Sequence, residues 1–276
     1  MAQRVLRAAH SAFSVIELLV VVSVISLLFG LLVPVLGTVR ARARSMLCKV
    51  DLRQLVLANT AYATENSGFY VPAAKDLWDN AGRYRWHGVR DRLDEPFDPG
   101  RGPLKAYVAD GKVRQCPERI RFLYGQAWSE NFEQGCGGYG YNMTYIGSRL
   151  WDKACPITSD LRSAYVRTTQ MTQVSRPSQT LMFADAAMCT NGTALIEYSF
   201  AEPPYAVLAG QVLEGLLMSP SIHFRHSGLA NIGWTDGHVD QHPAARLEGS
   251  NAYGVCSAAV GLGWFRPVDN SLFDLQ

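Results

Sequence analysis

The sequence predicts an α+β protein in which a long N-terminal hydrophobic helix packs on a mainly antiparallel β-sheet head with long loops. Three observations predict it. Leu18 to Val39 is a run of 22 residues without a charge. The stretch after it repeats buried-type residues at helical spacing, and from Gly68 onward the chain turns to Gly, Pro, aromatics and short apolar runs separated by turn signals. Composition agrees: 276 residues, 48% hydrophobic and 18% charged, exclude a disordered tail, a collagen-like fibre and a polytopic membrane protein. With 26 Lys+Arg against 24 Asp+Glu the net charge is +2, and no charge field indicates a nucleic acid.

Taken in chain order, the uncharged run spans ~33 Å at the helical rise, enough to cross a bilayer core. Arg4 and Arg7 precede it with no acid among them, and Arg40, Arg42 and Arg44 stop it. A secretory signal peptide or a plain signal anchor shares this outline. The signal peptide is disfavoured, because its apolar region is about 7 to 15 residues long and ends at a small-x-small site. Glu17 stands at the edge of the run. An acid inside a membrane span costs about 2.5–3.5 kcal/mol at the centre, less near an interface, and marks a function. Its nearest cations in sequence are Arg7 and Arg40, so its partner has to come from another chain or from an amino terminus created beside it.

The residues Ala12-Phe13-Ser14-Val15-Ile16-Glu17-Leu18-Leu19-Val20 resemble the processing and methylation signature of type IV prepilins and type II secretion pseudopilins. The resemblance implies a leader, residues 1–12, cut by a prepilin peptidase between Ala12 and Phe13. It implies methylation of the new Phe13 amine, and pairing of Glu17, the fifth mature residue, with a neighbour's terminus. Ala12 stands where the family carries Gly. Pro34 falls where the family kinks or melts its helix, consistent with the donor that proline lacks. The implied partners are the peptidase, other pilin-like subunits, an inner-membrane assembly platform and the lipid bilayer. The implied location is a single pass of the cytoplasmic membrane through residues 13–39, with the head outside the cytoplasm and in a fibre after processing. The basic residues alone place the head inside, since Arg40, Arg42, Arg44 and Lys49 outnumber Arg4 and Arg7; the resemblance reverses that.

Beyond the arginines, Cys48, Leu52, Leu55, Asn59 and Tyr62 alternate by four and three on one helical face. The spacing predicts a helix packed on a globular core, ending near Glu65 at Asn66-Ser67-Gly68. The spine, 13–66, then holds a helix of ~50 residues, ~75 Å long. The head, 67–276, has turn signals at Asp98-Pro99-Gly100, Asp110-Gly111, Asn191-Gly192 and Asp236-Gly237, and expected strands at Gln179 to Ala184, Thr193 to Phe200, Ala230 to Thr235 and His238 to His242. Thirteen aromatics between residues 78 and 151 read as filling of a loop-rich core or as an adhesive surface. The six cysteines, 48, 116, 136, 155, 189 and 256, form no CxxC pair, which argues against a zinc ribbon or a thioredoxin-like site. Outside the cytoplasm disulfides are permitted; Cys48 with Cys116 is the expected staple among fifteen possible pairings.

Four of the six histidines lie in 223–242. They read either as one hairpin closed by Asp236-Gly237 or as a metal site. No cofactor is expected; a divalent cation, if bound, would take His226, Asp236 and His238. The spacing His226, nine residues, Asp236-Gly237 also resembles the H-x9-D-G signature of a large planctomycete-type group of prepilin-like proteins. The group's other marks are matched by Cys48 within Cys48 to Ala58, Cys116-Pro117, Tyr139-x-x-Asn142 and Ser178-x-Thr180-x4-Asp185. There is no G-x-S-x-G, H-E-x-x-H, P-loop or dinucleotide fingerprint, so an enzyme is not expected. The expected function is a structural subunit, a pilin-like or pseudopilin protein assembled into a type II secretion or type IV pilus-like fibre. The alternative is a signal-anchored periplasmic binding or enzymatic domain acting as a monomer.

Overall fold

The computed structural model describes residues 14–77, 82–118, 120–124, 133–154, 161–190, 193–247, 250–251, 254 and 257–276. Ala12, Phe13, Cys155, Cys256 and the Asn191-Gly192 turn lie outside them.

A helix, α1, runs from Val15 to Glu65. Ser14 caps its start, its Oγ accepting from the Ile16 N–H at 3.3 Å. Helical backbone continues through Pro34, so no melted segment occurs there. The end is where the sequence places it. Ser67 takes the left-handed conformation at φ 56°, and the Gly68 N–H reaches back to the Ala63 carbonyl at 2.8 Å, a Schellman-type stop.

The chain divides into two compact units, residues 1–43 and 44–276. In the first, the apolar side chains from Val15 to Val39 are exposed and the segment is apolar enough to cross a membrane. In the second, α1 buries Ser45, Cys48, Leu52, Leu55, Val56, Ala58, Asn59 and Ala63. This contains the expected stripe except Tyr62, which is half-buried.

The helix packs on a four-stranded antiparallel sheet with strands in the order Val239–Pro243, Leu229–Trp234, Leu181–Asp185 and Tyr139–Tyr141. Gly233 makes the close approach possible: a Cβ there would lie 2.8 Å from Val56 Cγ2. Tyr141 stacks on Phe183 at 4.8 Å between ring centroids, and Trp86 meets Phe183 edge-on at 5.0 Å. Trp86, Tyr139 and Tyr141 are fully buried, so these aromatics fill a core. A second sheet orders Arg246–Leu247, Leu262–Trp264 and Ile222–His223.

The hairpin near the carboxy terminus forms with Ala230 opposite His242 and Ile232 opposite Asp240. Only Gly237, at φ 94°, supplies a positive φ. Asp236 does not, so the loop spans Thr235 to Gly237 rather than an Asp-Gly pair alone. The expected strand Thr193 to Phe200 is shorter than its apolar pattern, Ala194–Ile196. Its extension ends where Glu197 turns inward, its carboxylate accepting from the Gly135 N–H at 2.5 Å.

Candidate functional site

Four residues singled out in four separate stretches of sequence meet in the core beside α1. Cys48 faces inward because it lies on the buried stripe of the helix. Cys116 is fixed in a loop by its N–H, which donates to the Gly137 carbonyl at 3.0 Å. Asp185 ends the strand Leu181–Asp185, directly opposite Tyr139 in the ladder. His226 precedes a two-residue turn, Ser227-Gly228, whose φ values of 56° and 83° are those of a type I′ hairpin. The His226 and Leu229 backbones bond each other across that turn at 2.9 and 3.1 Å.

The ligating atoms of Cys48, Cys116, Asp185 and His226 all lie within 4.8 Å of one another, and all four residues are buried. The two Sγ atoms are 3.1 Å apart, and both residues are free thiols. Cys48 Sγ is 3.2 Å from Asp185 Oδ1 and 3.2 Å from the Tyr139 hydroxyl. Cys116 Sγ is 3.8 Å from His226 Nε2, which is 3.2 Å from Asp185 Oδ2. Asp185 Oδ2 also accepts from the Asn231 N–H at 2.7 Å. On the far side of the imidazole, Nδ1 is 3.7 Å from Glu118 Oε2, and Arg44 holds Glu118 at 3.1 Å.

Burial pushes the Cys48 thiol up, its bond to Cys116 adding to the effect. The same bond brings Cys116 down to about 5. Burial works against charge on His226, but Asp185 and Cys116 outweigh it and raise the imidazole to about 9. Burial likewise opposes charge on Asp185; Arg225 and His226 outweigh it and hold the carboxylate below its usual range. Arg225 is anchored through Nη2 to the Gly138 and Ala186 carbonyls at 2.9 and 2.6 Å, while its Nε and Nη1 are buried without a hydrogen-bond partner among the described residues.

The ligand set read from sequence, His226 with Asp236 and His238, is not assembled: among the described residues His226 groups with Cys48, Cys116 and Asp185 instead. Asp236 and His238 are exposed at the hairpin tip and pair with each other, His238 Nδ1 lying 2.6 Å from Asp236 Oδ1. Asp236 also accepts from the His238 N–H at 3.0 Å, a local turn contact. The physical reason is the turn at Ser227-Gly228, which separates His226 from the strand that leads to Asp236. In the sequence Asp185 stands only as the end of the Ser178–Asp185 pattern, and no local spacing joins positions 48, 116, 185 and 226.

Glu17 is exposed and accepts from the Ser14 N–H at 2.9 Å; it makes no ion pair among the described residues. A second polar contact in the core has an enzyme-like look: His87 Nε2 and Ser199 Oγ are 2.7 Å apart. Both residues are buried, and His87 Nδ1 has no hydrogen-bond partner among the described residues, so no acid orients the ring as a triad requires. Comparison with protein-family models, with curated proteins and with solved structures finds no match to this chain.

Proposed function

We propose that the chain is a pilin-like or pseudopilin subunit, stored in the cytoplasmic membrane through residues 13–39, cut before Phe13, and assembled through α1 into a type II secretion or type IV pilus-like fibre with its head outside the cytoplasm. The observation that carries this reading is the change of surroundings along one helix. From Leu18 to Val39 the side chains of α1 are uncharged, nearly all apolar, and exposed, and from Ser45 to Ala63 one face of it is core. An apolar segment without a core needs lipid or other apolar helices around it, and a fibre of packed spine helices supplies the second as the membrane supplies the first.

Glu17 gives the packing a register. Its carboxylate sits among exposed valines and leucines and makes no ion pair among the described residues. A neighbour's free amine at Phe13 has the opposite charge, and docking would bring the two together at low dielectric, where leaving either unpaired is costly. The partners in this reading are a prepilin peptidase, other pilin-like subunits and an inner-membrane assembly platform. The test is Glu17→Gln in cells that assemble the fibre. The variant is expected to insert as well as the parent, since a charge leaves the span, and to be lost from sheared fibres. Normal incorporation would overturn Glu17 as the docking charge and favour a signal-anchored head that acts alone. A reporter fused after Gln276 tests orientation: it should be active only outside the cytoplasm.

A further inference from the structure

We propose that Cys48, Cys116, Asp185 and His226 form a closed tetrahedral site for a borderline-soft divalent transition metal, zinc in character, which clasps α1 to the head. The inference does not depend on the assembly reading.

Geometry carries it. With metal–sulfur bonds of about 2.3 Å and metal–nitrogen or metal–oxygen bonds of about 2.0–2.2 Å, a tetrahedron has edges of roughly 3.8 Å between sulfurs. Its edges are roughly 3.5 Å from sulfur to nitrogen or oxygen and roughly 3.3 Å from nitrogen to oxygen. The structure has 3.1 Å between the sulfurs, 3.2 Å from Cys48 to Asp185, 3.8 Å from Cys116 to His226, and 3.2 Å from His226 to Asp185. Of the six edges, these last three lie within a few tenths of an ångström of the tetrahedron, the sulfur–sulfur edge is about 0.7 Å short and would lengthen by a small parting of the thiols, and the remaining two, Cys48 to His226 and Cys116 to Asp185, are within 4.8 Å.

The surroundings fit a metal better than a bare core. His226 presents Nε2 to the cluster while its buried Nδ1, without a hydrogen-bond partner among the described residues, lies 3.7 Å from Glu118 Oε2, on the side where a carboxylate would fix a ligand's tautomer by closing to hydrogen-bond distance. Tyr139 reaches Cys48 Sγ at 3.2 Å, and the Asn231 N–H holds one oxygen of Asp185. Two thiolates, one carboxylate, a divalent ion and the adjacent Arg225 guanidinium sum to zero charge, so the buried site needs no further counterion. Two sulfurs, a nitrogen and an oxygen suit zinc by ligand softness. A Cys48–Cys116 disulfide would use two of these groups and leave the convergence of Asp185 and His226 on the sulfurs without a role. The four ligands come from α1, a loop, the strand Leu181–Asp185 and the residue before the Ser227-Gly228 turn, so a bound ion would link segments from residue 48 to residue 226.

The test uses the full-length protein in detergent, purified under reducing conditions without chelator. Elemental analysis is expected to find about one zinc per chain, and cobalt exchanged into the site should give tetrahedral visible bands with thiolate-to-cobalt charge transfer. Chelator should lower the melting temperature, and zinc should restore it. Cys116→Ser and His226→Ala should weaken metal binding by at least about a hundredfold, and Glu118→Gln by about tenfold or more. Asp236→Ala and His238→Ala should keep the metal. If Cys116→Ser does not fold, the charge-transfer band of the parent protein decides whether thiolates are ligands. Failure of the reduced protein to take up zinc or cobalt would overturn the proposal. So would a Cys48–Cys116 disulfide in the isolated protein, metal retained in a folded Cys116→Ser, or metal lost in His238→Ala.

Discussion

Between Leu18 and Val39 the side chains of α1 are uncharged, nearly all apolar, and exposed on every side; between Ser45 and Ala63 the same helix carries a buried stripe and a wetted back. The difference is one of pattern rather than of hydrophobic content. Apolar residues all round a helix ask for an apolar solvent on all sides, whereas a stripe with a period near 3.6 asks for a core on one side and water on the other. Asn59 makes the contrast concrete. It is fully buried, its Nδ2 donating to Tyr141 Oη at 3.0 Å and its Oδ1 accepting from the Val71 N–H at 2.9 Å. A polar group of this kind is acceptable because the head satisfies it, while Glu17 is exposed and takes up the Ser14 N–H at 2.9 Å without an ion pair among the described residues.

The comparison breaks or holds first on paired truncations in detergent. Leu52→Ala should cost the head about 2–5 kcal/mol, the range for emptying a buried leucine site. Leu31→Ala, on an exposed position in the apolar half, should leave the head's unfolding transition unchanged. Equal effects would mean that the two halves are not energetically separate.

The pH response of the head is the next largest effect, and it should owe nothing to the apolar half. Burial raises the Glu202 carboxyl from 4.5 to about 7 despite the Tyr198 hydroxyl that donates to it at 2.9 Å. Because the folded pKa is the higher one, the folded state holds the extra proton between about 4.5 and about 7. The stabilising contribution is therefore present at low pH and fades as pH rises through that window, on the order of 3 kcal/mol in all. Denaturant titrations from pH 4 to pH 8 should show the decline for the parent, and Glu202→Gln should remove that part of the slope. An unchanged slope would show that Glu202 does not titrate there.

Asn59→Leu is a finer probe of the stripe. It keeps the helix but leaves the Val71 N–H and the Tyr141 hydroxyl short of a partner, and about 1–3 kcal/mol of head stability should be lost in chemical denaturation. The smallest effect is expected at the hairpin tip. Asp236→Ala removes contacts to the His238 N–H and ring in an exposed turn, and about 0.5–1 kcal/mol should go with them. A larger loss, reversed by added metal, would return Asp236 to the role of ligand.

Local order was legible in the sequence where it depends on neighbours along the chain. The stripe from Cys48 to Asn59, the stop after Glu65 and the hairpin ending near His242 all follow from periodicity and turn chemistry. The strand within Thr193 to Phe200 is only Ala194–Ile196; alternation cannot reveal that Glu197 turns inward to meet Gly135. The cluster at Cys48 was legible only as fragments. His226 looked close to Asp236 and His238 because they are near in sequence, but Ser227-Gly228 folds it back toward Asp185, and tertiary convergence has no signature in spacing. The Ser-Gly pair was the one local signal for that reversal.

The central claim is that α1 is a processed spine, and the mass of the amino-terminal peptide from the protein recovered from fibres or membranes tests it most directly. The account predicts a peptide beginning at Phe13 and carrying one methyl group on its amine. A peptide that still carries residues 1–12, or one cut elsewhere in the apolar run, would contradict it.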